Sequence, residues 1–314
     1  MEKIDHLIKR AVSRRSFLAG AGTATAALAI GCSSNSVSTG GGGGTNPGIT
    51  DNDIMNFALN LEYLEAEFYL YAATGKGLAS ADAGTGAGTT TVPSGIAAVP
   101  WGSSGFAQYA SEIAQDEVNH VRFLRQAITG NGGTPVSRPN IDLTFFAPLA
   151  VAAGITTTPT FNPFLTPQAF LIGAFVFEDV GVTAYHGAAG LISSSTILGA
   201  AAGILGVEAY HAAAIRTLLT ESAATTSDQT YVNIANKVAD LRGTLGGSNE
   251  THVGLYAGDP TVGIVAADTT NAIAFSRSTD QVLHIVYGAV GGAGVGKGGF
   301  FPNGLNGKIT ATAS

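Results

Sequence analysis

Two stretches of this chain, residues 170–192 and 197–215, are apolar on nearly every face of a helix, yet both contain carboxylates. In the first the only acids are Glu178 and Asp179, and in the second the only acid is Glu208. Two architectures accommodate such helices: a pair of membrane spans, or the central helices of a soluble bundle. A span would set Glu178, or Glu208 with His211, near the bilayer centre at about 3 kcal/mol each. A bundle can gather the same groups around a partner. Charged residues are 12% of the 314, and mean hydropathy is +0.26, so composition alone does not decide; the placing of the polar groups does.

Four long helical patterns are legible. The first runs over 52–73 without Gly or Pro, with Thr50 or Asp51 as cap and Gly75 as its stop. After a Gly/Ala/Ser/Thr loop over 75–103, the second runs over 104–129 and stops at Gly130. Residues 130–165, rich in Thr, Pro and Gly, form a long crossing connection. Thr166-Pro167 opens the third helix, with Pro at its first position, and it continues to about residue 192. The fourth follows a Ser193-Ser194-Ser195-Thr196 turn and ends near Thr220. A more polar fifth helix is expected over 228–245 and a short one over 279–287; the Gly-rich remainder is expected to drape over the surface.

The chemistry sits on these helices. The second carries Glu117-Val118-Asn119-His120 and the fourth Glu208-Ala209-Tyr210-His211. Each Glu-x-x-His puts a carboxylate and an imidazole one turn apart on one face. Random placement of nine Glu and five His beyond residue 31 gives far fewer than two such pairs. The first and third helices each offer a Glu followed seven residues later by a Tyr: Glu62 with Tyr69, and Glu178 with Tyr185. The chain thus reads as two matched half-bundles. Four carboxylates in one apolar core repel one another and resist desolvation. Two divalent cations would neutralise them, with one imidazole completing each shell. An oxygen-rich set with one His per ion favours iron or manganese over zinc or copper, and a Glu from two helices with Glu-x-x-His from the other two is the di-metal carboxylate pattern.

These stretches, with Asn60-Leu61-Glu62-Tyr63-Leu64-Glu65-Ala66-Glu67-Phe68-Tyr69 and the later Phe275-Ser276-Arg277-Ser278 before Gln281-Val282-Leu283, resemble the ferritin-like superfamily, in particular the group related to plant desiccation-related proteins. The resemblance implies an all-α, ferritin-like four-helix bundle with a long crossover, extra C-terminal helices and a Gly-rich tail. It implies that Glu62, Glu117 and His120 hold one metal and Glu178, Glu208 and His211 the other, with Glu117 and Glu208 bridging. The long Gly/Thr/Pro-rich connections depart from compact cage-forming ferritins and speak against a hollow storage shell.

The N-terminus reads as an address. Ser13-Arg14-Arg15-Ser16-Phe17-Leu18 precedes an uncharged apolar run over 19–31 and resembles a twin-arginine export signal. Leu28-Ala29-Ile30-Gly31-Cys32 resembles a lipoprotein cleavage box, with Cys32 as the lipidation site. The expected organisation is a signal over 1–32, a Gly/Ser-rich linker over 33–50, the bundle over 51–222 and an extension over 223–314. Loss of residues 1–31 removes five bases and two acids, leaving 10 bases, 20 acids and a net charge of −10. That balance excludes a basic footprint for nucleic acid. One Cys excludes a disulfide scaffold and Cys-based zinc or iron–sulfur sites.

Other polar residues have plainer expected roles. Glu65 is a ligand, a neighbour of the ligands or a surface carboxylate. Glu67 is expected to face solvent, and Glu112 and Asp116 to form a solvated stripe. Tyr69 and Tyr185 either hydrogen-bond the ligands or carry oxidising equivalents, or, as the commoner role for such residues, are packed core tyrosines with satisfied hydroxyls. Tyr63 and Tyr210 read as packing, His186 as a surface or core histidine; His252, His284 and Trp101 carry no functional mark. Two functions compete: an exported di-iron or di-manganese protein acting on peroxide or dioxygen in envelope stress defence, or a non-enzymatic, desiccation-protective envelope protein with a structural or vestigial metal site. The expected partners are metal ions and a small oxidant, with a homo-oligomer as one assembly and the membrane reached only through the lipid anchor or signal.

Overall fold

The computed structural model describes residues 48–313; Arg14, Arg15 and Cys32, expected to serve export and lipidation, lie outside the described residues. Helix α1, Asp51–Thr74, begins at a reciprocal cap in which Thr50 accepts from the Asp53 amide and Asp53 accepts from Thr50. It ends at Gly75, whose left-handed φ of 72° leaves no room for a side chain: a Cβ there would lie 2.7 Å from the Ala98 nitrogen. A short α2, Ser80–Ala83, leads to α3, Phe106–Gly130. The crossing connection holds β2, Ile141–Asp142, paired in parallel with β1, Thr90–Thr91, and then α4, Phe146–Ala152.

Helix α5, Pro167–Ala189, starts with Thr166 accepting from the Ala169 amide and Pro167 at the first position. Helix α6, Ser195–Thr226, is capped by Ser194 and runs beyond its expected end at Thr220, because nothing in Glu221-Ser222-Ala223-Ala224 breaks a helix. Helices α7, Thr230–Gly246, and α8, Thr279–Tyr287, follow, the latter with a Ser278/Gln281 capping box. Between them β3, His252–Val253, pairs in parallel with β4, Val262–Gly263. Helix α1 packs chiefly on α3, and α5 on α6; α1 against α5 and α3 against α6 join the two hairpins. The molecule is an all-α bundle of four long helices, α1, α3, α5 and α6, with α7 and α8 added against α5.

Helices α5 and α6 are both long and apolar enough to cross a membrane. The apolar window of α5 is 89% buried by the rest of the protein, whereas that of α6 is 22% buried. One end of the bundle is sealed by rings. Phe68 of α1 stacks on Phe170 at 5.6 Å and meets Phe146, Phe164 and Phe177 at 5.4 to 5.6 Å; Trp101 stands edge-on to Phe170 at 5.0 Å. Trp101 therefore plugs this end.

The Gly-rich tail departs from its expected surface course. Phe300, Phe301 and Leu305 are buried, and Phe300 meets Phe146 and Phe177 at 5.0 Å. Glycines let the tail turn tightly enough to insert those rings, so it contributes to the core. A buried ion network ties α7 and the region before α8 to the bundle. Asp179 accepts from Arg216 and Arg242 at 2.8 Å each, and Glu250 accepts from Arg242 at 2.7 Å and Arg277 at 2.6 Å. Arg277 also donates to the Thr183 hydroxyl at 2.9 Å, and Arg242 lies 4.3 Å over the Phe175 ring. Each charge in this low-dielectric region has an opposite partner, which is the condition for burying it.

Candidate metal centre

Glu62, Glu117, Glu178 and Glu208 lie near the middle of α1, α3, α5 and α6, where helix faces meet and water is excluded; all four are at most 1% exposed. His120 and His211 are buried beside them. The helical i, i+3 spacing turns each Glu-x-x-His pair inward together. Around His120 Nδ1 stand Glu62 Oε2 at 3.2 Å, Glu117 Oε2 at 3.3 Å and Glu208 Oε1 at 3.6 Å. Around His211 Nδ1 stand Glu117 Oε1 at 3.1 Å and Glu178 Oε2 at 3.6 Å. The two imidazole centroids are 6.3 Å apart.

Two groups of potential ligand atoms result, each within 4.8 Å: Glu62, Glu117, His120 and Glu208; and Glu117, Glu178 and His211. Glu117 turns one oxygen to each histidine, the geometry of a bridge. Glu208, expected to bridge, joins only the first group, where its Oε1 lies 3.6 Å from His120 Nδ1 on α3. Its other oxygen lies against the backbone of α5: a Cβ at Gly181 would come within 2.1 Å of Glu208 Oε2 and 3.5 Å of Glu65 Oε1. Glycine at 181 is thus what lets a carboxylate from α6 occupy this face of α5.

The donor set fits a cation. Glu117 Oε1, Glu178 Oε2, both oxygens of Glu208 and His211 Nδ1 are buried with no hydrogen-bond partner among the described residues. Glu117 Oε1 and His211 Nδ1 are 3.1 Å apart, yet lack hydrogen-bond alignment. Such close, unaligned pairs suit ligand atoms sharing one ion through bonds of about 2.1 Å. Without a cation, protons must offset the charge. Burial raises the Glu117 carboxyl to about 7 even though His120 and His211 oppose it. Burial also disfavours both imidazolium forms, but the facing carboxylates prevail and push His120 up to about 11 and His211 up to about 12. Burial and then repulsion from neighbouring carboxylates push Glu65 and Glu208 well above the carboxylate range.

The tyrosines form a crossed pair. Tyr69 of α1 donates its hydroxyl to Glu178 Oε1 on α5, and Tyr185 of α5 donates to Glu62 Oε1 on α1. Each half of the bundle thereby orients the carboxylate of the other. Burial, then the neighbouring carboxylates, holds both phenols well above their usual range, so both keep their protons. Glu65 is buried beside the cluster without joining either ligand group.

Three expectations need correction. Tyr210 does not pack: it stands 77% exposed on the outer face of α6. Glu67 does not face solvent: it is fully buried and paired with Arg138, because the connection after α3 folds back over α1. Asp116 is no bystander in a solvated stripe, since its Oδ2 lies 3.2 Å from His211 Nε2, and such a contact fixes which ring nitrogen faces a metal. Its position immediately before Glu117 was the available signal. His186 instead meets the Phe275 carbonyl, and His252 pairs with Asp240 away from the cluster.

The family model of the ferritin-like domain matches residues 50–221. The desiccation-related protein PCC13-62 of Craterostigma plantagineum is 32% identical over 248 residues, covering 74% of this chain and 76% of that protein. The ferritin-like catalase Nec2 of Nesocodon mauritianus is 30% identical over 270 residues, covering 82% of this chain and 84% of its own. No solved structure matches the chain significantly.

Proposed function

The chain belongs to the ferritin-like family, and from that premise we propose that it holds two divalent cations, iron or manganese, and dismutates peroxide. The observation that carries this reading is the convergence of four Glu and two His whose inward atoms lack other partners. The name of one relative, a ferritin-like catalase, favours peroxide over other oxidants. Glu62, Glu117, His120 and Glu208 would hold one ion, and Glu117, Glu178 and His211 the other. Bound there, such a pair of ions would supply the redox chemistry that peroxide dismutation needs.

The remaining work belongs to the chain. Tyr69 and Tyr185 hold one oxygen each of Glu178 and Glu62, leaving the other oxygen of each aimed at the ligand cluster. Asp116 accepts from His211 Nε2, which leaves Nδ1 free to ligate. Glu65 is buried at the edge of the cluster, and that burial favours its protonated form, so it would hold a proton where a peroxide oxygen needs one. The aromatic plug around Phe68 excludes water from one side.

The test is elemental analysis of protein expressed with added iron or manganese, followed by oxygen release from hydrogen peroxide. Two metals per chain with turnover is the expected result; less than one equivalent overturns the reading. A second reading, a metal-stapled protective protein without activity, is favoured by the desiccation-related relative. Glu117→Gln with His120→Ala separates them. Loss of turnover with the fold intact supports the enzyme, whereas a collapsed melting temperature in a protein that never turned over peroxide supports the staple. Export by the twin-arginine route to the periplasm or envelope, with an anchor at Cys32, belongs to the same proposal. Arg14→Lys with Arg15→Lys should then retain the protein in the cytoplasm on cell fractionation.

A further inference from the structure

At the end of the bundle opposite the aromatic plug, the first half of α6 stands away from α3 and leaves a cavity of about 460 Å³. Its walls are apolar, with Ile54, Met55, Phe123, Ile192 and Ile197 among them. The polar side chains at its margin are occupied elsewhere or open to solvent: Asn131 donates to Asn52, Ser194 caps α6, and Thr196 is exposed. Tyr185 also lines the cavity, and its hydroxyl is bonded to Glu62 in the ligand cluster. The cavity therefore adjoins the proposed metal centre through one phenol.

Its size and lining argue about what enters. A water occupies about 30 Å³, and an apolar cavity of about 150 Å³ already stays dry and admits benzene. Hydrogen peroxide alone neither fills this space nor finds partners on its walls. Volumes of roughly 300–1,000 Å³ with apolar walls and few convergent polar groups are those of organic-ligand sites. We propose that this cavity binds the organic body of an alkyl or aralkyl hydroperoxide, with its peroxide group directed past Tyr185 toward the metal centre. This rests on the peroxide reading above. The reaction balances with hydrogen peroxide as reductant: ROOH and H₂O₂ give ROH, H₂O and O₂. The O–O bond of ROOH breaks and takes up two electrons and two protons, both supplied by H₂O₂ as it is oxidised to O₂.

The experiment uses metal-loaded protein and 2-phenylpropan-2-ol, the alcohol left by cumene hydroperoxide. Calorimetric titration should show one site per chain. Ala201→Leu and Ala127→Met, which project into the cavity from α6 and α3, should each weaken that binding about tenfold, ~1.4 kcal/mol. The turnover ratio of cumene hydroperoxide to hydrogen peroxide should fall by a similar factor. Two variants on different helices guard against the misfolding of either. Hydrogen peroxide turnover by wild-type protein that does not bind the alcohol overturns this inference alone, as does binding that neither variant weakens. A dimer in sedimentation that excludes the alcohol overturns it too, by showing that a second copy closes the cavity. Alcohol binding with no turnover of either peroxide overturns the peroxide reading, and the hydroperoxide assignment with it.

Discussion

The two ends of the bundle are built from the same four helices and differ in almost everything else. At the closed end, Phe68, Phe164, Phe170 and Trp101 interlock with rings from the crossing connection and the tail. At the open end, Ala58, Ala127, Ala188, Ala200 and Ala201 face one another across empty space. The crossed tyrosines carry the same contrast into the metal centre. Tyr69 is fully buried at 5.7 Å from Phe170, while its counterpart Tyr185 borders the cavity. Ring volume decides which end is solid, since helices spaced by alanines and left without a covering loop cannot close the gap. The closed end should therefore supply rigidity, and the open end access.

The largest expected effect lies at the centre, where both ends meet. Glu117→Gln removes the carboxylate shared by the two groups, and metal analysis should show loss of both ions. Next is the closed end. Phe68→Ala should cost about 3–5 kcal/mol in denaturant unfolding, and a loss under 1 kcal/mol would break the proposed division. Asp116→Asn, which leaves the ligands intact, should weaken metal binding about 10–100-fold in a competition titration.

The metal-free protein should also respond to pH in a defined direction. Glu117 has a folded-state value near 7, raised above its ordinary 4.5, so its stabilisation is full below 4.5 and lost as pH rises through 7. His120 and His211 are raised from 6.5 to about 11 and about 12, so theirs is full below 6.5 and lost toward those values. Glu62 is lowered despite its burial by the neighbouring His120, and contributes above 4.5 instead. Between pH 6.5 and 9 the metal-free melting temperature should fall, while metal affinity rises as the ligands shed protons. The smallest effect sharpens the comparison most. Tyr69→Phe and Tyr185→Phe should weaken metal binding alike, but only Tyr185→Phe should alter the preference between organic and hydrogen peroxide.

Much of this was legible beforehand. The capping signals at Thr50, Thr166 and Ser194 mark helix starts, because they act through local backbone amides. The inward face of each helix follows from the spacing of Glu and His. Glu67, Asp116 and Phe300 were misread for a common reason: their partners lie far along the chain. Arg138 stands 71 residues from Glu67, and His211 stands 95 from Asp116. The Asp179–Arg216–Arg242–Glu250–Arg277 network was missed likewise, since it joins isolated charges from separate segments.

From its sequence alone, this protein was committed to four long helices, to an all-α class, and to carboxylate and imidazole donors on their inward faces. Helical periodicity and end signals are local, so they can be read without coordinates. Tertiary structure alone decided that Glu208 joins His120 and not the group around His211, and that each tyrosine bonds the opposite half's carboxylate. It alone left one end of the bundle open, because cavities arise from how elements fail to fill the space between them.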